Sequence, residues 1–168
     1  MLFRSRLGTP VRESGPTQQP HILGVFRTNL IRRLHLNRGL RANATVLVNS
    51  DSTPQEMRDE LELHSGTIIC LPATAIAAQS GARLNIPMLA AVARALGYPT
   101  TLVRERLARA WPAAREKNLA ACDLALERSL TQRFTGDGQY ALAAPDLSRG
   151  PIGYKRSEER RVGKECRL

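Results

Sequence analysis

Apolar residues follow two different rhythms along this chain. In the first half they come as short unbroken runs: HILGVF at 21–26, TVLVN at 45–49 and TIICL at 67–71. Each run suits a buried strand and is too short for a helix. Beyond Pro72 the rhythm lengthens to helical spacing. Asn85 reads as an N-cap and Pro87 falls in the first turn, where its missing N–H costs little. Ile86, Leu89, Ala90, Ala93 and Leu96 then form one apolar stripe that Gly97 ends.

Polar and helical stretches separate the three runs. The segment 29–40 sets Leu30, Ile31, Leu34 and Leu36 among arginines, a short amphipathic helix ending near Gly39. The turn SDSTP follows the second run, and 54–63 is polar enough for one or two helical turns. Unbroken apolar runs are what a parallel sheet covered on both faces requires, whereas a sheet with one wet face would alternate. The expectation is an α/β three-layer fold with polar turns such as Asn49, Ser50 and Asp51 at the carboxyl ends of strands.

Further helices complete the chain. Thr100 or Thr101 caps a helix that buries Leu102, Val103, Leu107 and Ala110 and exposes Arg104, Arg106 and Arg109. Pro112 breaks the chain and starts an alanine-rich helix through Leu119, Cys122, Leu126 and Leu130. Residues 131–155 are rich in Gly, Pro, Asp and Ser and read as a linker or tail, with the GDG at 136–138 as a turn. At the other end, 6–20 holds three prolines and two glycines, which suits loop or edge material.

Composition narrows the function classes. A chain of 168 residues fits one domain. No apolar run approaches the roughly 20 residues that span a bilayer, and the N-terminus has no secretory apolar core, so a cytoplasmic protein is expected. Cys70, Cys122 and Cys166 stand far apart without a CxxC, which indicates neither a disulfide framework nor a zinc or iron-sulfur site. The formal charge of +10 raises nucleic acid as a partner. That charge needs correcting for the two ends. The last thirteen residues, RSEERRVGKECRL, resemble the in-frame translation of a widely used sequencing-library adapter and depart from it only at Leu168. The first five, MLFRS, resemble the end of the companion adapter. Adapter-derived flanks are therefore expected at 1–5 and 156–168, with natural protein at 6–155 cut at both ends. Without the flanks 19 basic and 12 acidic residues remain, a net +7 carried almost wholly by arginine. Such a bias reports a GC-rich genome more readily than a nucleic-acid surface.

Motifs with their own chemistry are missing. There is no GxGxxG, Walker loop or GxSxG, so neither phosphate cradling nor an elbow nucleophile is signalled. His21, His35 and His64 lack metal-site spacing, and Asp59, Glu60 and Glu62 read as a solvated face. No catalytic residue and no metal ligand is assigned. One local pattern competes: residues 89–107, LAAVARALGYPTTLVRERL, resemble a helix-turn-helix that would set Thr100, Thr101, Arg104 and Arg106 against DNA. Arg106 stands where such a motif buries an apolar side chain, Pro99 sits in its turn, and the three upstream strands are left over.

Taken in order, HILGVF, TVLVNSD, IICLPATAIAAQSGARLNIPMLAAVARALG and KNLAACDLAL resemble the gamma subunit or domain of 2-oxoacid:ferredoxin oxidoreductases of the pyruvate/ketoisovalerate type. The likeness runs over about residues 20–130. Pro72 and Ala73 with Thr74 and Ala77 open a small-residue helix, an asparagine opens the helix NIPML, and Asn118 lies in the last helix. The family's glycine-rich opening turn is absent, as truncation at the N-terminus would leave it. The resemblance implies a Rossmann-like domain at 6–130 in a complex that oxidatively decarboxylates a 2-oxoacid to an acyl-CoA and passes electrons to ferredoxin. It also implies alpha-, beta- and delta-type partner subunits, which would hold thiamine diphosphate, magnesium and the iron-sulfur clusters. Asn49 and Asn85 are the positions the resemblance sets near coenzyme A or an inter-subunit surface, with helix capping the competing role for Asn85.

Overall fold

The computed structural model describes residues 19–142 and 144. The expectations for the flanks at 1–5 and 156–168, and for most of the loop at 6–20, lie outside the described residues. The three apolar runs are strands: β1 (Ile22–Val25), β2 (Thr45–Asn49) and β3 (Gly66–Leu71). They pair in parallel, Val25 opposite Val48 and Val48 opposite Cys70. A fourth strand, β4 (Leu130–Phe134), pairs antiparallel with β3, so the sheet order is β1-β2-β3-β4.

Strand alternation divides the core into two layers. Val46, Val48, Ile68 and Cys70 face the side covered by α1 (Leu30–Leu34) and α2 (Pro54–Leu61), where Ile31, Met57 and Leu61 bury. Leu47, Ile69 and Leu71 face the other side, under α3 (Ala73–Ser80), α4 (Asn85–Ala95) and α6 (Arg115–Arg128). This is the expected α/β three-layer arrangement. The helix α5 (Thr100–Ala110) lies against α6 and sends Leu107 into that second layer; a 3-10 turn (Pro112–Ala114) links the two. Among the described residues no helix is long and apolar enough to cross a membrane.

Several expectations need correction. Thr100 and Thr101 lie inside α5, whose N-cap position is Pro99 without a side-chain bond. Ala110 is exposed, and Leu130 opens β4 rather than closing α6. The helix read at 29–40 lasts only from 30 to 34, because His35 takes a left-handed backbone (φ 48°) whose N–H bonds back to the helix carbonyls. In α4, Leu89 and Leu96 are 44% and 42% exposed, while Met88 and Ala91 are buried. Small side chains let the sheet, α3 and α6 approach α4 closely, so nearly every face except the one with Leu89 and Leu96 is covered. The reading of 131 onward as linker fails for 131–134, which belong to β4, and for 137–140, which are bonded to α2. LTQRF shows no apolar run because only Phe134 of β4 is buried.

Candidate functional site

The carboxyl ends of β1, β2 and β3 lie side by side, the edge at which open α/β sheets place ligands. Asn49 ends β2 and ties this edge together. Its Nδ2 donates to the Phe26 carbonyl at 3.1 Å and to the Thr74 hydroxyl at 2.8 Å, and its Oδ1 accepts the Thr74 N–H at 3.1 Å. Thr74 is the second residue of α3, whose own N-cap position is Pro72 and supplies no side-chain bond. An uncapped helix leaves its first N–H groups without partners. Asn49 therefore caps α3 from the neighbouring strand while holding the exit of β1. Both its amide atoms are engaged, which makes it a positioning group.

The turn after β2 is equally wired. Ser50 N–H donates to the Leu71 carbonyl at 3.1 Å, and Ser52 N–H to the Ser50 hydroxyl at 3.1 Å. Thr53 and Glu56 then form a capping box at the start of α2, with Pro54 at its first position. The backbone N–H of Thr53, and after it the hydroxyl, hold the Glu56 carboxyl below its ordinary range. Ser50 thus makes a turn, and Asp51 beside it stays exposed.

Asn85 sits elsewhere and does not cap. It is exposed at the first position of α4, Leu84 before it already has helical angles (φ −52°, ψ −31°), and no side chain caps this end. Ile86 N–H instead meets the Arg83 carbonyl at 3.0 Å. The expected cap on Asn85 is thus corrected: a backbone turn replaces it. No hydrogen bond joins Asn49 to Asn85 among the described residues.

Among the described residues the titratable groups form no reactive constellation. Burial, and after it the charge of Glu56, pushes the Cys70 thiol up to about 12. Burial also raises Cys122, with Asp123 adding to it and Arg104 opposing. These thiols lie in different layers of the core, one on each side of the sheet, and cannot ligate one metal or cluster. Among the described residues no three His, Cys, Asp or Glu side chains stand together as a metal site. The two described cysteines do not fit an iron-sulfur cluster, which needs convergent thiolates.

A second polar cluster escapes the local pattern entirely. Arg58, only 4% exposed, donates through Nη1 and Nη2 to both Asp137 oxygens at 2.9 and 2.7 Å, and through Nε to the Leu63 carbonyl at 3.2 Å. Its guanidinium lies 4.8 Å from the Phe134 ring centre and 5.6 Å from that of Tyr140. The Tyr140 hydroxyl donates to Asp59 at 2.9 Å, and its carbonyl is 2.6 Å from His64 Nδ1. The Arg58 bonds, followed by the Gln139 N–H, hold the Asp137 carboxyl far below the usual range. A GDG turn and a polar helix gave no hint of this pairing, because its partners are 79 positions apart.

The helix-turn-helix candidate also has a geometry. Its first helix, α4, is buried in the second layer, and Arg104 of α5 is ion-paired with Asp123 of α6. A DNA reader would need that side chain free to reach a groove.

Comparison with known proteins adds an independent line. The model of a family described as pyruvate ferredoxin/flavodoxin oxidoreductase matches residues 2–128. Among curated proteins nothing matches. Among solved structures, the chain is similar to the pyruvate oxidoreductase subunit PORC of Thermotoga maritima, with a TM-score of 0.60 and 25% identity. That match covers 69% of this chain and 67% of the other.

Proposed function

Because the chain belongs to the pyruvate ferredoxin/flavodoxin oxidoreductase family, we propose that it serves as a gamma-type subunit or domain of a 2-oxoacid:ferredoxin oxidoreductase. The observation that carries this reading is the family match over 2–128 together with the likeness to a pyruvate oxidoreductase subunit. The complex would convert a 2-oxoacid and coenzyme A to an acyl-CoA and carbon dioxide, and pass the electrons to ferredoxin. The tied-down Arg104 and the buried α4 speak against the DNA-binding alternative.

In this reading the chain contributes a shaped surface and no reacting group. Thiamine diphosphate, magnesium and iron-sulfur clusters are held by alpha-, beta- and delta-type partners in the cytoplasm, where ferredoxin reaches the complex through those partners. The edge built by Asn49, Phe26 and Thr74 fits a positioning role, since three hydrogen bonds fix its outline before anything binds. The exposure of Asn85 at the start of α4 leaves it available for the inter-subunit or coenzyme A surface that the family resemblance assigns it.

Reconstitution tests this proposal. The partner subunits are assayed for 2-oxoacid-dependent, coenzyme A-dependent reduction of ferredoxin with and without the full-length gene product. Turnover that requires the chain supports the proposal, and full turnover in its absence removes it. In the reconstituted enzyme, Asn49→Ala should raise the KM for coenzyme A with a smaller change in kcat; an unchanged KM would place the asparagine outside that surface.

A further inference from the structure

Arg58 is buried in a polar pocket of its own, at the end of the sheet where β3 begins and Gly66 stands opposite Phe134. It projects from α2, where Met57 and Leu61 enter the first core layer, and its Nε and Nη2 donate to the Leu63 and His64 carbonyls at 3.2 and 3.4 Å. Those bonds fix its orientation within its own segment of chain. The Phe134 ring, itself buried, and the Tyr140 ring lie against the guanidinium. What remains is the fork of Nη1 and Nη2, and the two Asp137 oxygens fill it.

A fixed, desolvated guanidinium fork with aromatic rings beside it is the arrangement that binds a carboxylate through two parallel bonds. The receptor and its occupant are built differently. Arg58 and Phe134 belong to a helix and a strand of the core. Asp137 belongs to TGDGQY, whose residues 135–139 are all exposed, include two glycines and lie in no helix or strand. This segment is also held by the Tyr140 hydroxyl and the Gln139 amide on Asp59, and by the Tyr140 carbonyl on His64. Surface polar contacts, with no side chain of 135–140 fully buried, place it at the low end of local stability. Asp137 is 47% exposed, so a carboxylate arriving from solvent would meet the fork where Asp137 now stands.

We propose that Arg58 is the centre of a carboxylate-binding site that Asp137 fills in cis, and that release of residues 135–140 yields it to a carboxylate from outside this chain. A buried cation needs a carboxylate in its fork, whichever chain or molecule supplies it. Asp137 therefore competes as a tethered ligand, and an outside carboxylate has to exceed its effective concentration, on the order of millimolar or above for a short segment. An acidic side chain presented by a neighbouring subunit meets that condition, as does a small organic acid at high concentration.

Acetate is the probe. In the full-length gene product Asp137→Ala empties the fork, and about 300 mM sodium acetate should raise its melting temperature by about 4 °C over sodium chloride at equal ionic strength, with a half-maximal effect at about 10–100 mM. Arg58→Met with Asp137→Ala, which removes the cation as well, should melt alike in the two salts. If Asp137→Ala is unfolded in chloride, the readout is refolding, which acetate should restore and chloride should not. Equal responses of the single and double variants to acetate overturn the proposal. The source of the carboxylate is read from association with the partner subunits. Asp137→Ala should bind them about tenfold more tightly than the unsubstituted protein when an interface side chain takes the fork, a gain the double variant loses. An unchanged affinity, or a gain the double variant keeps, assigns the site to small acids. This association measurement rests on the reading of the chain as a subunit, whereas the acetate measurement needs this chain alone, so its failure leaves the family reading standing.

Discussion

Replacing Arg58 by alanine probes the structure where local sequence is least informative. The substitution removes two charge-assisted hydrogen bonds to Asp137, the bond to the Leu63 carbonyl and the stacking on Phe134 and Tyr140. Bonds to charged partners contribute about 1.5–3 kcal/mol and the ring contacts about 0.5–1 kcal/mol. Asp137 is half exposed and regains water when Arg58 leaves, so the sum must be discounted. An expected loss of about 3 kcal/mol remains, a large share of a stability of about 5–15 kcal/mol. Urea unfolding of the full chain, followed by far-ultraviolet circular dichroism and by tyrosine fluorescence, measures it. Asp137→Asn should add little once Arg58 is gone, because the two side chains act through one contact. A loss below about 1 kcal/mol, or full additivity of the two substitutions, would refute the claim that residues 134–140 are clamped onto α2.

Three further outcomes follow from the same contacts. Asn49→Ala should cost about 1–2 kcal/mol by uncapping α3 and freeing the end of β1, whereas Asn85→Ala should stay within about 0.5 kcal/mol; thermal melting of the pair checks this, and the reverse order would contradict the assignment of the cap. The Asp137 carboxyl is depressed in the folded state, so the unfolded chain binds more protons below about pH 4. Its contribution to stability is full above that unfolded value of about 3.9 and is lost as pH falls toward the folded one. The acid limb of a stability–pH curve should therefore be shallower for Asp137→Asn. Finally, Cys70 and Cys122 should resist alkylation in the folded protein and label at the rate of unfolding, because buried neutral thiols are poor nucleophiles. Peptide mapping that finds either modified within the dead time under native conditions would contradict their burial.

The parallel strands were legible because their environment is simple. A strand covered on both faces must be apolar throughout, and TVLVN and TIICL carry that requirement in five residues each. β4 was not legible, since an edge strand with one buried residue leaves no hydrophobic pattern and owes its place to pairing with β3. The α4 stripe misled for a related reason. Periodicity assumes one buried face, but a helix of small residues pressed between sheet and helices buries most of its circumference and exposes the two leucines that look most apolar.

The site was half legible. Asn49 at a strand end was visible as a candidate, yet its capping of α3 joins residues 25 positions apart, and no local rule reports such a bond. Asn85 illustrates the converse. Its sequence context is that of an N-cap, but the turn at 83–86 meets the first N–H with a backbone carbonyl and leaves the side chain to solvent. The Arg58 clamp shows how far a buried cation can be from its carboxylate along the chain while depending on it for burial.

Whether the chain is a subunit of a 2-oxoacid oxidoreductase is tested most directly by capturing the full-length gene product from its own cells and weighing the captured assembly by native mass spectrometry. The prediction is a stoichiometric complex containing thiamine diphosphate and iron-sulfur clusters that dissociates with this chain as one component. A chain recovered alone or on DNA, with no thiamine diphosphate in the captured material, would contradict the account.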